Sequence, residues 1–216
     1  MKTTNVIVAG VGGQGSILAA HILGKAAIRE KAPSGKPLQV RIGETYGAAM
    51  RGGKVFSHVR FGDARAPLTM EDGAELVIGL EPLEALRVAI PYLSPDGVCV
   101  INTAQYVPAD VKMGRAQYPA TAGIIDGLKK LGRKVIAFDA TAAAKELGKP
   151  QVMSVLMLGA ASATGMLPLD EKSLMATIEE EAPKGTAELN LKAFRRGREI
   201  AESLGGAGAG GAGEGA

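Results

Sequence analysis

The chain has 216 residues, 46% hydrophobic and 4% aromatic with no Trp, which suffices for one sizeable core and excludes a chain disordered throughout. One cysteine, Cys99, excludes a disulfide scaffold and cannot by itself hold an iron–sulfur cluster or a thiolate zinc site; two histidines, His21 and His58, are too few for a dedicated His-based metal site. A net charge of +3 without a run of like charges argues against a nucleic-acid partner, and the lack of any long apolar stretch argues against a membrane span. The N-terminus runs straight into a strand-like segment without a signal-peptide pattern, so the expected compartment is cytoplasmic.

In chain order, short apolar, β-branched runs at residues 6–9, 38–42, 55–59, 76–80, 98–102 and 135–138 read as buried strands. Helical patterns lie between several of them. Leu18, Ile22 and Ala26 recur beside Ala19, Leu23 and Ala27 on one broad face. Pro82 opens a helix bearing Leu83, Leu86 and Ile90, and residues 121–131 form a third, stopped by Gly132. Beyond the last strand, residues 152–163 read as a buried core helix, Asp170 caps a helix through Ile178, and a polar helix runs from about 186 to 204. The pattern predicts an α/β, Rossmann-like three-layer domain with a mostly parallel sheet and a helical C-terminal segment. Residues 1–204 form the folded unit, and the Gly/Ala-rich residues 205–216 a flexible tail. The strands around Arg41 and His58 are expected to be mutually antiparallel, and the second strand to lie beside the first.

Two glycine-rich segments are the candidate site. Gly10, Gly12, Gly13, Gln14 and Gly15 follow the first strand and open the first helix, where glycines let a ligand approach and free helix N–H groups favour an anion. The segment is a phosphate or pyrophosphate cradle, or else a turn that only packs the helix. A full dinucleotide site needs an acidic residue at the end of the second strand; Glu30 and Glu44 are poorly placed for that role, and no P-loop lysine follows. The second segment, residues 43–53, carries Tyr46 and Arg51. The Arg51 fork suits a carboxylate or phosphate, or simply pairs with Glu44 or a backbone carbonyl. His58 reads as a half-buried packing residue rather than a base, His21 as structural, Cys99 as buried and inert, and Arg195, Arg196 and Arg198 as a solvated helix face. No acid–base or nucleophile set emerges from spacing.

The stretch GVGGQGSILAAHILGKAA at 10–27, together with GETYGAAMRGGKVFSHVR at 43–60, resembles the gamma-type subunit of 2-oxoacid:ferredoxin oxidoreductases. Residues 80–87, LEPLEALR, resemble in particular the beta subunit of indolepyruvate ferredoxin oxidoreductases; Met157-Leu158-Gly159-Ala160, Asn190 and Gly197 are similar to the family's C-terminal half. Ser154 departs from the pattern, which often has Asn there. The resemblance implies a non-catalytic subunit of an enzyme that oxidatively decarboxylates an aryl 2-oxoacid, of indolepyruvate or phenylglyoxylate type, to the acyl-CoA. It implies thiamine diphosphate, magnesium and iron–sulfur clusters on partner subunits, and ferredoxin or another acceptor reached through the complex. For Gly10, Gly12, Gly13, Gln14, Gly15, Tyr46 and Arg51 the implied ligand is coenzyme A, or else an acidic loop of a partner subunit, and the isolated chain is expected to be inactive. The alternative is a stand-alone Rossmann-like nucleotide-binding module or NAD-dependent dehydrogenase.

Overall fold

The computed structural model describes residues 3–32, 35–47, 52–107, 111, 113–115 and 117–206. Six strands form one sheet: β1 (Thr4–Val11), β2 (Val40–Tyr46), β3 (Lys54–Phe61), β4 (Ala74–Gly79), β5 (Leu93–Asn102) and β6 (Lys134–Phe138), in the order β2-β3-β1-β4-β5-β6. β1, β4, β5 and β6 are parallel, whereas β3 runs antiparallel to both β1 and β2. The helices are α1 (Ser16–Arg29), α2 (Pro82–Tyr92), α3 (Thr121–Leu131), α4 (Ala140–Glu146), α5 (Met153–Ser162), α6 (Glu171–Glu181) and α7 (Ala187–Gly206). No described helix is long and apolar enough to cross a membrane.

Strand alternation builds the three layers. Val6, Val8, Leu76, Ile78, Val98 and Val100 point to the side covered by α1, α5, α6 and α7. Ile7, Ala9, Val77, Cys99 and Ile101 point to the side covered by α2 and α3. Cys99 is sealed there, and burial pushes its thiol up to about 12.

The strand pair around Arg41 and His58 is antiparallel as expected, but β2 is not beside β1. β3 lies between them, paired with β1 along its whole length from Lys54 to Phe61. The reason is burial: β3 has apolar or buried residues on both faces, as a central strand needs, whereas β2 is largely exposed or half-buried and suits an edge. Since both pairings are antiparallel, β2 still runs parallel to β1, and its end reaches the same rim as the first glycine turn.

Other departures are local. Leu18 is 42% exposed at the margin of α1, whose buried face is Ala19, Ile22, Leu23, Ala26 and Ala27. In α2 the buried face is Pro82, Ala85, Val88 and Ala89, with Ile90 60% exposed. Small alanines win there because the helix lies close to the sheet: a Cβ on Gly79 would overlap that of Ala85. Asp170 precedes α6 but makes no capping bond; its N–H donates to Glu30 Oε1 at 2.8 Å. α7 continues through Gly205 and Gly206, two residues into the expected tail, while 207–216 lie outside the described residues. α5 is buried on every side, as its apolar sequence predicts, and crosses α7 backbone to backbone at Gly159 and Gly197.

Candidate functional site

Open α/β sheets bind ligands beyond the C-terminal ends of their strands. Here that rim carries the end of β1, the end of β2 and the start of β3. The first glycine segment is braced by its own glutamine: the Val11 N–H donates to Gln14 Oε1 at 2.8 Å, and the Gln14 N–H donates to the Val11 carbonyl at 3.0 Å. Gly13 and Gly15 take left-handed backbone, φ 104° and 89°, which only glycine adopts without strain. A Cβ on Gly10 would come 2.8 Å from Gln14 Oε1 and 3.0 Å from Leu80 Cβ, so Gly10 lets β1 pass close to β4.

The second segment closes on the first. The Gly12 N–H donates to the Gly53 carbonyl at 2.8 Å, and the Gly52 N–H to the Gly12 carbonyl at 3.3 Å, carrying the β1–β3 ladder one step past the strands. Beneath this seam is a pocket of about 450 Å³ lined by Gly12, Gly13, Gly15, Ser16, Ile17, Tyr46 and Val55. The structure thus gathers Gly12, Gly13, Gly15 and Tyr46 around one space. Gly10 and Gln14 support the turn and do not line the pocket, and Arg51 lies outside the described residues.

The neighbouring helix starts at this rim are occupied by the chain's own groups. Glu81, 1% exposed, accepts from the Glu84 N–H at 2.9 Å at the start of α2, and from the Tyr106 N–H at 3.4 Å and the Tyr118 hydroxyl. Burial and the Glu81 carboxylate push the Tyr118 phenol up; burial raises Glu84, against the pull of Arg87. At the end of β5, Asn102 Oδ1 accepts from Ala140 N–H at 3.0 Å, and Nδ2 donates to the Leu80 carbonyl at 3.0 Å. The crevice between β4 and β5 is therefore knitted shut. Sequence reading missed Glu81, Asn102 and Ser16, although an acidic residue before a helix-opening Pro is a legible cap signal.

The remaining candidates lie elsewhere. His58 is fully buried rather than half-buried, opposite Ile7 in mid-sheet, edge-on to Phe56 and Tyr92. Its Nδ1 accepts from the Thr69 N–H at 3.2 Å, and burial together with Arg60 lowers its pKa, so it is a neutral packing group. His21 is exposed and bonds Glu44 Oε1 at 2.9 Å. Arg196 bonds Glu199 on the exposed face, as expected, whereas Arg198 is only part-exposed and ties α7 to Glu171 of α6 and Ser162 of α5 as well as to Glu202. One cysteine, sealed in β5, does not fit an iron–sulfur cluster.

Residues 5–200 match the family model described as pyruvate ferredoxin/flavodoxin oxidoreductase, and the chain belongs to that family. It is 37% identical over 210 residues to indolepyruvate oxidoreductase subunit IorB of Thermococcus kodakarensis, covering 94% of this chain and 98% of that one. It is 37% identical over 193 residues to the protein of the same name from Archaeoglobus fulgidus, covering 89% and 92%. The fold is that of the keto/oxoacid ferredoxin oxidoreductase gamma subunit from Geobacter sulfurreducens, with a TM-score of 0.65 at 25% identity, covering 93% of this chain and 99% of that chain. The relatives are subunits, which does not favour a stand-alone dehydrogenase.

Proposed function

We propose that this chain is the gamma-type subunit of an indolepyruvate-type 2-oxoacid:ferredoxin oxidoreductase of the cytoplasm. The observation that carries this is its 37% identity, across nearly the whole length, to a subunit named for indolepyruvate oxidation. In such a complex an aryl 2-oxoacid loses carbon dioxide, its acyl group passes to the thiol of coenzyme A, and two electrons pass to ferredoxin or another acceptor. Partner subunits hold the thiamine diphosphate, magnesium and iron–sulfur clusters that supply this chemistry. The present chain contributes a folded platform, and its glycine-lined pocket contacts coenzyme A through Gly12, Gly13, Gly15 and Tyr46. The pocket fits that role because it is open, and because the α1 start beside it carries neither a side-chain cap nor an acidic residue in its first turn.

The test is reconstitution. The purified chain, given aryl 2-oxoacids, coenzyme A, thiamine diphosphate and a viologen dye, gives no reduction; co-expressed with the thiamine- and cluster-binding subunits, it co-purifies with them and dye reduction appears. Turnover by the chain alone, or full activity of the partners without it, defeats the subunit reading.

A further inference from the structure

The sheet ends in two edges, β2 and β6. β6 is five residues long and opens on the exposed Lys134, a usual guard against further pairing. β2 is seven residues long, with no proline and an unbroken register against β3. Its one cation, Arg41, does not guard the edge, because Nε is engaged by the Ala64 carbonyl at 2.9 Å. Among the described residues no other backbone bonds the outer side of β2. That side is a row of unmet N–H and C=O groups, which an extended backbone completes.

An apolar groove runs beside this edge. It holds about 330 Å³ and is lined by His21, Gly24, Lys25 and Ile28 of α1 with Val40 and Ile42 of β2. α1 meets β2 closely at Gly24, where a Cβ would come 2.6 Å from Ile42 Cδ1. One turn later Ile28 stands 63% exposed. The charges of the groove are already engaged, Lys25 by Glu181 and His21 by Glu44. What the groove offers is aliphatic: Ile28, Val40 and Ile42.

A second copy of this chain does not fit the edge. Val40, Ile42 and Glu44 share the α1 face of β2. Two copies related by a two-fold axis pair antiparallel, and residues that face each other lie on one face of the sheet. In each register that engages most of the strand, Glu44 then faces Val40, Ile42 or the other Glu44. A carboxylate set against an aliphatic side chain or a second carboxylate is unfavourable.

We propose that the open edge of β2 and the groove beside it bind an extended segment of a partner subunit, added to the sheet as a further strand. The segment carries apolar side chains opposite Val40 and Ile42, entering the groove, and a Lys or Arg opposite Glu44. The inference rests on the subunit reading and adds a surface through which the subunits join.

The chain is co-expressed with the thiamine- and cluster-binding subunits, and amide hydrogen exchange over residues 40–46 is compared in the complex and in the chain alone. Exchange about ten-fold slower in the complex is the expected result. Ile28→Glu keeps the thermal midpoint of the chain and weakens assembly about ten-fold. Ile28→Val, and Leu204→Glu at an exposed position at the end of α7, assemble like wild type. Unchanged exchange on assembly, or an Ile28→Glu chain that assembles like wild type, overturns the site and leaves the subunit reading standing. Slow exchange in the chain alone, with a dimer by light scattering, gives the edge to a second copy and overturns the partner. A wild-type chain that does not join the other subunits defeats the subunit reading, and this inference with it.

Discussion

Gly159 of α5 and Phe194 of α7 meet backbone to backbone: the place of a Cβ on Gly159 is filled by the Phe194 carbonyl oxygen. Gly197 is pressed in the same way against the Leu156 carbonyl, so the two helices share a seam with no side chain between them. Gly159→Ala should lower stability by about 3 kcal/mol, the upper part of the usual range for overpacking, because rigid backbone cannot yield. Urea denaturation measures it. A loss under about 1 kcal/mol would mean that the helices slide apart at little cost.

Glu81 holds three donors from three parts of the chain. Glu81→Ala leaves the Glu84 and Tyr106 amides and the Tyr118 hydroxyl without their acceptor. The expected loss is about 2–4 kcal/mol, a lost cap together with unsatisfied buried donors. Glu81→Gln keeps an acceptor oxygen and should cost about half as much. Thermal midpoints of the two variants decide the matter; equal midpoints would show that the oxygen count is irrelevant.

The two left-handed glycines differ in surroundings. A Cβ on Gly13 would meet nothing within 4 Å, whereas one on Gly15 would meet Ser154 Oγ at 2.7 Å. Gly13→Ala should cost only the backbone strain, about 1–2 kcal/mol. Gly15→Ala should cost more, since Ser154 must also move. Chemical denaturation of both variants gives the ordering, and a reversed order would contradict the contact.

Stability should fall on both sides of neutrality. Burial raises the Cys99 thiol from 9.0 to about 12. Above pH 9 the unfolded chain gives up this proton first, so stability is intact below pH 9 and declines as pH rises towards 12. His58 has a lowered pKa, so below its ordinary 6.5 the unfolded chain takes up a proton first and stability declines as pH falls. Denaturation across pH checks both, with Cys99→Ala removing its share of the alkaline decline and His58→Phe its share of the acid one. Native Cys99 should also resist a thiol reagent at pH 8 and react once unfolded.

Much of this architecture was readable from periodicity. All six strands appear where β-branched runs stand, and the almost wholly apolar stretch of α5 reads as a buried helix. The order of the strands was not readable, because it depends on comparing the two faces of β2 and β3 across the sheet rather than on either strand alone. At the site, Gly13 and Gly15 announced the turn. The role of Gln14 did not show, since an amide that bonds its own turn looks in sequence like one offered to a ligand. Ser154 was beyond reach of spacing, since it comes against Gly15 only because α5 passes that turn.

The place of β3 between β1 and β2 bears on the order in which the molecule matures. The pocket wall at Gly12 is fixed by Gly53, just ahead of the strand that arrives last among the first three. A nascent chain that has emerged only through β2 holds the glycine turn without its opposite wall, and no local pairing can supply it. Formation of the pocket therefore waits on a contact across some forty residues of chain, the kind of non-local closure that slows folding. A finished pocket certifies that the N-terminal half of the sheet is assembled, before any partner surface needs to read it.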